Sequence, residues 1–120
     1  MIKNKGLHRI VIAFPALAML GPGFTKIVGT EGVVRGLTAL GVGPYVTSIG
    51  VLQLVIAILY LLPATRTIGF LLTCSYLGGA IFAHLSHGQV LTLPAITLAL
   101  FWVAMFLTKP GLFLPAKSLL

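Results

Sequence analysis

Acidic side chains are almost absent from this chain, and charge of either sign is scarce. Glu31 is the single acidic residue among 120, against eight lysines and arginines, and only 8% of the residues are charged. No formally charged side chain lies between Arg35 and Arg66 or between Arg66 and Lys109, while 58% of the residues are hydrophobic. A soluble domain of this size needs a polar surface, which this composition does not supply. The sequence therefore predicts an integral membrane protein.

Other scarcities exclude further classes of function. The one cysteine, Cys74, excludes an internal disulfide, a multi-cysteine metal site and an iron–sulfur cluster. The net charge of +7 does not predict nucleic acid binding, because the cations stand singly between apolar segments, as helix anchors at headgroups do. His84 and His87 share one predicted helix and cannot straddle a haem, and no dinucleotide fingerprint appears. We therefore expect no haem, iron–sulfur cluster, dinucleotide, metal ligand or catalytic residue.

Four apolar segments approach the length that a helix needs to cross the hydrocarbon core, about 20 residues. They cover residues 7–28, 45–62, 67–85 and 90–107. In the first segment, Pro15 and the Gly-Pro-Gly triplet at 21–23 predict a kink or a locally unwound turn. The short link from Pro63 to Arg66 predicts an antiparallel hairpin. We expect an all-α fold, a transmembrane four-helix bundle in a single domain of residues 1–120.

A short helix is expected between the first two segments. Thr30 can cap its beginning and Gly41 can end it. Apolar residues recur between them at helical spacing, namely Val33, Val34, Leu37 and Leu40. This pattern is typical of an amphipathic helix that lies at the membrane interface.

The positions of the cations predict the orientation. With four spans, one side of the membrane holds Lys3, Lys5, Arg9, Arg66, Lys109 and Lys117, and the other holds Lys26 and Arg35. Lysine and arginine accumulate in the cytoplasmic loops of membrane proteins. We therefore expect a multi-pass protein of the cell membrane with both termini in the cytoplasm.

This orientation gathers polar residues near the outer leaflet. Lys26, Glu31, Arg35, His84 and His87 are expected at the outer headgroup level, with Gln53 and Tyr76 deeper. On the third long helix, one face carries Thr73, Tyr76, Ala80, His84 and His87. The candidate ligand-binding residues are Lys26, Gln53, Tyr76, His84 and His87.

Each candidate also has a purely structural interpretation, and both stay open. Lys26 can extend to the headgroups as an anchor or form a buried ion pair with Glu31. The two histidines can be interfacial or take part in ligand or proton chemistry. Gln53 should face inward, because an amide in hydrocarbon needs hydrogen-bond partners, whether for packing or for a ligand.

Small residues on the third long helix favour a close approach of another helix. Ser75, Gly79 and Ala83 are spaced by four, and Gly78 is adjacent. This spacing lets transmembrane helices touch through their backbones. We expect the stripe to pack within the bundle, with an interface between copies as the alternative.

Four motifs, in this order, resemble the DoxX-like family of small four-helix membrane proteins. They are GFTK at 23–26, GVLQLVIAILYLLP at 50–63, TRTIG at 65–69 and SYLGGAIFAHL at 75–85. The resemblance covers the chain from about Arg9 to Lys109 and matches the family's pattern at Lys26, at Gln53 and from Gly78-Gly79 through His84. It implies a membrane partner of redox or detoxification proteins, since the family is named after a subunit associated with a thiosulfate:quinone oxidoreductase. In many members we expect an acidic residue in place of Gln53.

Three functions fit these residues. The first is an accessory subunit of a membrane redox or respiratory complex, with a quinone or lipid site near the outer leaflet. The second is a non-catalytic assembly or interaction protein that docks on a larger membrane complex through its small-residue faces. The third, a small transporter or channel, ranks last because every predicted span lacks Asp and Glu. We expect membrane lipids as partners, no nucleic acid, and no independent catalytic activity.

Overall fold

The computed structural model describes residues 4–114, and every regular element in this range is helical. The α-helices are α1 (Lys5–Val28), α2 (Glu31–Ala39), α3 (Val46–Leu61), α4 (Arg66–Ser86) and α5 (Thr92–Thr108). Single 3₁₀ turns occupy Gly43–Tyr45, Pro63–Thr65 and Pro110–Leu112. The all-α prediction is confirmed, and each long helix begins and ends within two residues of its predicted segment.

The four long helices close into a ring. Both α1 and α4 pack against α3 and α5, and α2 lies outside the ring beside the end of α1. The centre of the ring is a hydrophobic core built from Ile12, Ala16, Met19, Ile56, Ala57, Tyr60, Phe70, Leu77, Phe101 and Met105. α2 therefore covers one end of a bundle whose core the other helices supply.

The outside of the ring is apolar as well. Large side chains there are widely exposed, for example Leu17 at 65%, Phe82 at 69% and Leu93 at 77%. Three helical segments are long and apolar enough to cross a membrane, namely Lys5–Val28, Gly43–Leu61 and Pro63–Ser86. The fourth, Thr92–Thr108, is apolar but has 17 residues. Apolar helices with an apolar exterior are the arrangement that lipid requires, and the chain is a membrane protein.

α1 runs through both of its prolines as one continuous helix. Pro15 and Pro22 lie inside its 24 residues, so the chain is not unwound at 21–23, and the alternative of a kink stays a prediction. Neighbouring groups support the backbone around Pro22: the Thr25 hydroxyl donates to the Pro22 carbonyl at 2.8 Å, and Gln53 Nε2 donates to the Met19 carbonyl at 2.9 Å.

The predicted short helix is present as α2. Thr30 occupies its N-cap position, and glycines at positive φ stand at both junctions, Gly29 at 77° and Gly41 at 81°. The apolar stripe turns toward the bundle, since Val33, Val34 and Leu37 are half-buried and Leu40 is buried. The opposite face is exposed and carries Glu31 and Arg35.

The predicted hairpin joins α3 and α4. A methyl group added at Gly69 would lie 2.2 Å from the Tyr60 backbone nitrogen, so the two helices touch through their backbones here. Arg66 donates from Nε to the Tyr60 carbonyl at 3.0 Å and from Nη2 to the Leu61 carbonyl at 2.8 Å. These bonds satisfy carbonyls that the end of α3 would otherwise leave open.

Candidate functional site

Three polar side chains from three helices meet inside the bundle. Lys26 Nζ of α1 donates to Gln53 Oε1 of α3 at 2.5 Å and to the Tyr76 hydroxyl of α4 at 3.3 Å. The Tyr76 hydroxyl donates to Gln53 Oε1 at 2.8 Å, so this oxygen accepts two hydrogen bonds. We call Lys26, Gln53 and Tyr76 the polar network. It links α1, α3 and α4 at one point.

Gln53 is the fixed centre of the polar network. Its side chain is only 3% exposed, and its Nε2 donates to the Met19 carbonyl of α1 at 2.9 Å. Because the amide nitrogen is held by α1, the amide oxygen is presented to Lys26 and Tyr76. The prediction that Gln53 faces inward is confirmed.

The partner of Lys26 differs from the expected one. Glu31 pairs with Arg35 at 4.0 Å on the exposed face of α2, where their side chains are 87% and 75% exposed. Lys26 instead turns inward to Gln53, so neither the ion pair with Glu31 nor a lysine extended to the headgroups is found. Glu31 is the chain's single acidic residue, and Lys26 therefore has no acidic side chain as a partner. Its ammonium is held by neutral oxygens.

A cleft of about 330 Å³ opens between α1, α2, α3 and α4, and we call it the α2 cleft. Its walls are apolar residues of α2, of α3 and of the link between them, namely Leu37, Leu40, Val42, Ile49 and Leu52. Gly79, Ala80 and Ala83 of α4 line it with small side chains that leave the space free. Lys26, Tyr76 and His84 are its polar groups.

A second cleft, of about 150 Å³, lies on the other side of the polar network. This α5 cleft is lined by α1, α3, α4 and α5, including Met19, Gln53, Leu93 and Thr97. Lys26, Tyr76, Ala80 and His84 line both clefts. The polar network therefore stands where two apolar spaces meet.

The two histidines have different surroundings. His84 lines both clefts, and its Nδ1 lies 2.7 Å from the Ala80 carbonyl, which can only accept, so Nδ1 carries the proton of this hydrogen bond. His87 lines neither cleft; its Nδ1 lies 3.0 Å from the Ala83 carbonyl. A methyl group added at Gly41 would lie 3.3 Å from His87 Nε2, so this ring packs against the end of α2. The structure separates His87 from the other four candidates.

The stripe of small residues on α4 is not packed as expected. Ser75, Gly78 and Gly79 are exposed, and a methyl group at either glycine would meet no other part of the described chain within 4 Å. The expectation that they pack within the bundle is wrong, because the outward rotation of this face leaves it beyond the reach of α3 and α5. Ala83 is half-buried and lines the α2 cleft. An interface between copies stays a prediction.

Close packing occurs instead between α1 and α3, at two glycines that the sequence analysis did not select for packing. A methyl group at Gly50 would lie 2.9 Å from the Gly23 carbonyl oxygen and 2.8 Å from Lys26 Cβ. Gly50 lies one helical turn before Gln53, so the close approach brings Lys26 beside the amide. The sequence feature that could have predicted this packing is that Gly50 and Gln53 share a helix face.

One of three comparisons with known proteins found a match. The model of the DoxX-like family matches residues 10–107. No curated protein and no solved structure matches the chain. The matched residues include the polar network and every residue that lines the two clefts. The chain belongs to the DoxX-like family of membrane proteins.

Proposed function

We propose that this protein binds a membrane-soluble amphiphile, whose polar head meets the polar network and whose apolar body fills the adjoining clefts. The observation that carries the proposal is the position of Lys26, Tyr76 and His84 in the wall that two apolar clefts share. Ligand sites are mostly apolar concavities with a few polar groups that orient the ligand. A membrane-soluble ligand can enter such clefts directly from the bilayer.

The proposal includes four membrane spans. α5 has 17 residues, which is the lower end of the range of roughly 17–25 that can cross a bilayer. Among the described cations, Lys5, Arg9, Arg66 and Lys109 belong to one end of the ring, and the 2.9 Å bond from Lys109 Nζ to the Thr67 hydroxyl joins two of its helices. This end is proposed as cytoplasmic, with α2 at the opposite interface. Lys3 and Lys117, which strengthen the expected bias, lie outside the described residues.

A quinone is the head that the family resemblance implies, and the residues present fit it. The Lys26 ammonium has three N–H bonds, of which Gln53 and Tyr76 accept two. The third would donate to a quinone carbonyl, while the clefts would hold the isoprenoid tail. A bound quinone supplies electron and proton exchange within the membrane. In the described chain the role of these side chains is to bind and orient, which suits an accessory subunit of a redox or respiratory complex.

Purification from native membranes tests the proposal. Lipids extracted from the pure protein are analysed for quinones, and thermal unfolding in mild detergent is followed as decylubiquinone is added. We expect a co-purified quinone and a midpoint that rises with decylubiquinone in the wild type and not in Lys26→Met. Lys109→Met removes an exposed lysine and serves as the matched control. An extract without quinone, together with an unchanged midpoint, would count against the proposal.

The exposed face of α4 favours a second function, that of an assembly or interaction protein. Ser75 and Gly78 are exposed small residues next to Gly79 at the α2 cleft, and another transmembrane helix could pack against them. Affinity purification in mild detergent should then recover a stoichiometric partner, and Gly78→Leu should release it. Recovery of a lone chain from wild-type membranes would exclude this role.

A further inference from the structure

The ammonium of Lys26 lies against apolar clefts without an opposite charge. Its two partners, Gln53 Oε1 and the Tyr76 hydroxyl, are neutral, and Glu31 is engaged with Arg35 on the far face of α2. Among the residues that the structure describes, the third N–H of this ammonium has no acceptor. A charge in low-dielectric surroundings is stabilised far more by an opposite charge than by a dipole.

The geometry points to an anionic head on the bound amphiphile, and we propose a carboxylate. The inference depends on the proposed function, since it requires that the clefts bind an amphiphile, and it assigns that amphiphile an anionic head in place of the neutral quinone. One oxygen of a carboxylate can accept the third N–H of Lys26 Nζ, while His84, whose Nδ1 proton is directed to the Ala80 carbonyl, lies beside the head as a lining residue. Both groups line the same two clefts.

The surroundings favour a carboxylate over a phosphate ester. Phosphate groups are bound by several donors at once, from arginine forks, helix N-termini or clustered lysines. Here one lysine and one histidine face the clefts, and the other lining residues of the α2 cleft besides Tyr76 are apolar. A single compact negative charge matches this donor set. The natural ligand class is therefore a long-chain carboxylic acid, with its hydrocarbon chain along Leu37, Leu40 and Leu52.

Gln53 offers a test that keeps the shape of the site. Gln53→Glu is nearly isosteric and places a carboxylate oxygen 2.5 Å from Lys26 Nζ, where the amide oxygen now lies, although it also removes the donation from Nε2 to the Met19 carbonyl. The internal carboxylate would neutralise Lys26 and remove the demand for an external anion. Gln89→Glu introduces the same change at an exposed position and is the matched control.

The experiment measures binding of four probes to the full chain in neutral detergent: oleate, methyl oleate, dodecyl phosphate and decylubiquinone. We expect oleate to bind the wild type at least about thirtyfold more tightly than methyl oleate, the change typical of removing one member of a buried charge pair. Oleate should also exceed dodecyl phosphate. Gln53→Glu and Lys26→Met should abolish the preference for oleate, and Gln89→Glu and Lys109→Met should retain it.

The outcomes separate the inference from the proposed function. Equal affinity for oleate and methyl oleate, or an undiminished preference in a folded Gln53→Glu protein, would overturn the carboxylate. Tighter binding of dodecyl phosphate would replace it by a phosphate. Binding of decylubiquinone without a preference for oleate would overturn the inference and leave the proposed function in place. Failure of all four probes to bind would overturn both the carboxylate inference and the proposed function.

Discussion

Lys26 of α1 and Gln53 of α3 are joined by a 2.5 Å hydrogen bond across 27 positions of sequence. The bond forms because Gly50 lets the two helices approach until a methyl group there would touch Lys26 Cβ at 2.8 Å. One contact thus has two consequences. It ties two helices together inside an apolar bundle, and it fixes an ammonium at the edge of two clefts.

Gln53→Leu should destabilise the protein strongly. The change leaves the Lys26 ammonium, the Tyr76 hydroxyl and the Met19 carbonyl without their shared partner. Loss of such buried partners costs about 2–3 kcal/mol in the free energy of unfolding. Unfolding in detergent micelles measures it, and Gln89→Leu, at an exposed position, should change it little. Equal stability of the two variants would contradict a central role for Gln53.

Two tyrosines should respond in opposite ways to loss of the hydroxyl. Tyr76→Phe removes the 2.8 Å bond to Gln53 and should lower the free energy of unfolding by about 1 kcal/mol. The Tyr60 hydroxyl is buried and has no hydrogen-bond partner among the described residues. Tyr60→Phe should therefore be neutral or stabilising by up to about 1 kcal/mol. Thermal unfolding of both variants measures these changes. A Tyr60→Phe protein less stable than Tyr76→Phe would contradict the role of Tyr76 in the polar network.

Gly69 and Gly78 lie on the same helix and should differ in their tolerance of a methyl group. Gly69→Ala would place Cβ 2.2 Å from the Tyr60 backbone nitrogen and should push α3 and α4 apart. Gly78→Ala meets nothing within 4 Å in the described chain and should gain about 0.5–1 kcal/mol from helix propensity. Yield of folded protein and the unfolding midpoint measure both. A well-folded Gly69→Ala protein would show that the hairpin is looser than described.

The two histidines should differ in ligand binding. His84→Ala removes a side chain that lines both clefts and should weaken the stabilisation given by decylubiquinone or oleate by about tenfold in affinity. His87→Ala acts at the α2 junction, outside the lining of either cleft, and should leave affinity unchanged. Ligand-dependent shifts of the unfolding midpoint provide the comparison. Equal losses in both variants would place the ligand elsewhere.

The helices could be predicted closely because their signals are local. Uncharged apolar runs set the lengths of α1, α3, α4 and α5, and the proline and glycine residues between them set the ends. Gly41 and Gly88, at φ of 81° and 66°, follow helices α2 and α4 as expected of C-terminal glycines. The face of α4 that carries Tyr76, Ala80 and His84 was also predicted, since three- and four-residue spacing alone aligns it.

Contacts between side chains on different helices could not be predicted from the sequence. In a soluble helix the polar face marks the outside, but here both the core face and the lipid face are apolar, so the rotation of a helix leaves little trace in its sequence. The small residues of α4 were therefore assigned to the wrong side, while Gly23 and Gly50 were overlooked. For Lys26 the sequence left open a headgroup anchor and an ion pair with the nearby Glu31, whereas its partners come from α3 and α4.

The sequence by itself determined a membrane protein of apolar helices, their lengths and their order, because burial in lipid depends on apolar length and composition along the chain. Tertiary structure alone decided that Lys26, Gln53 and Tyr76 form one network, that His84 joins the clefts, and that His87 does not. Those outcomes depend on how closely the helices approach and how each is turned. The distance between helices and the rotation of each helix are set by steric contacts at Gly50 and Gly69, which join residues that are far apart in the sequence or on different helices.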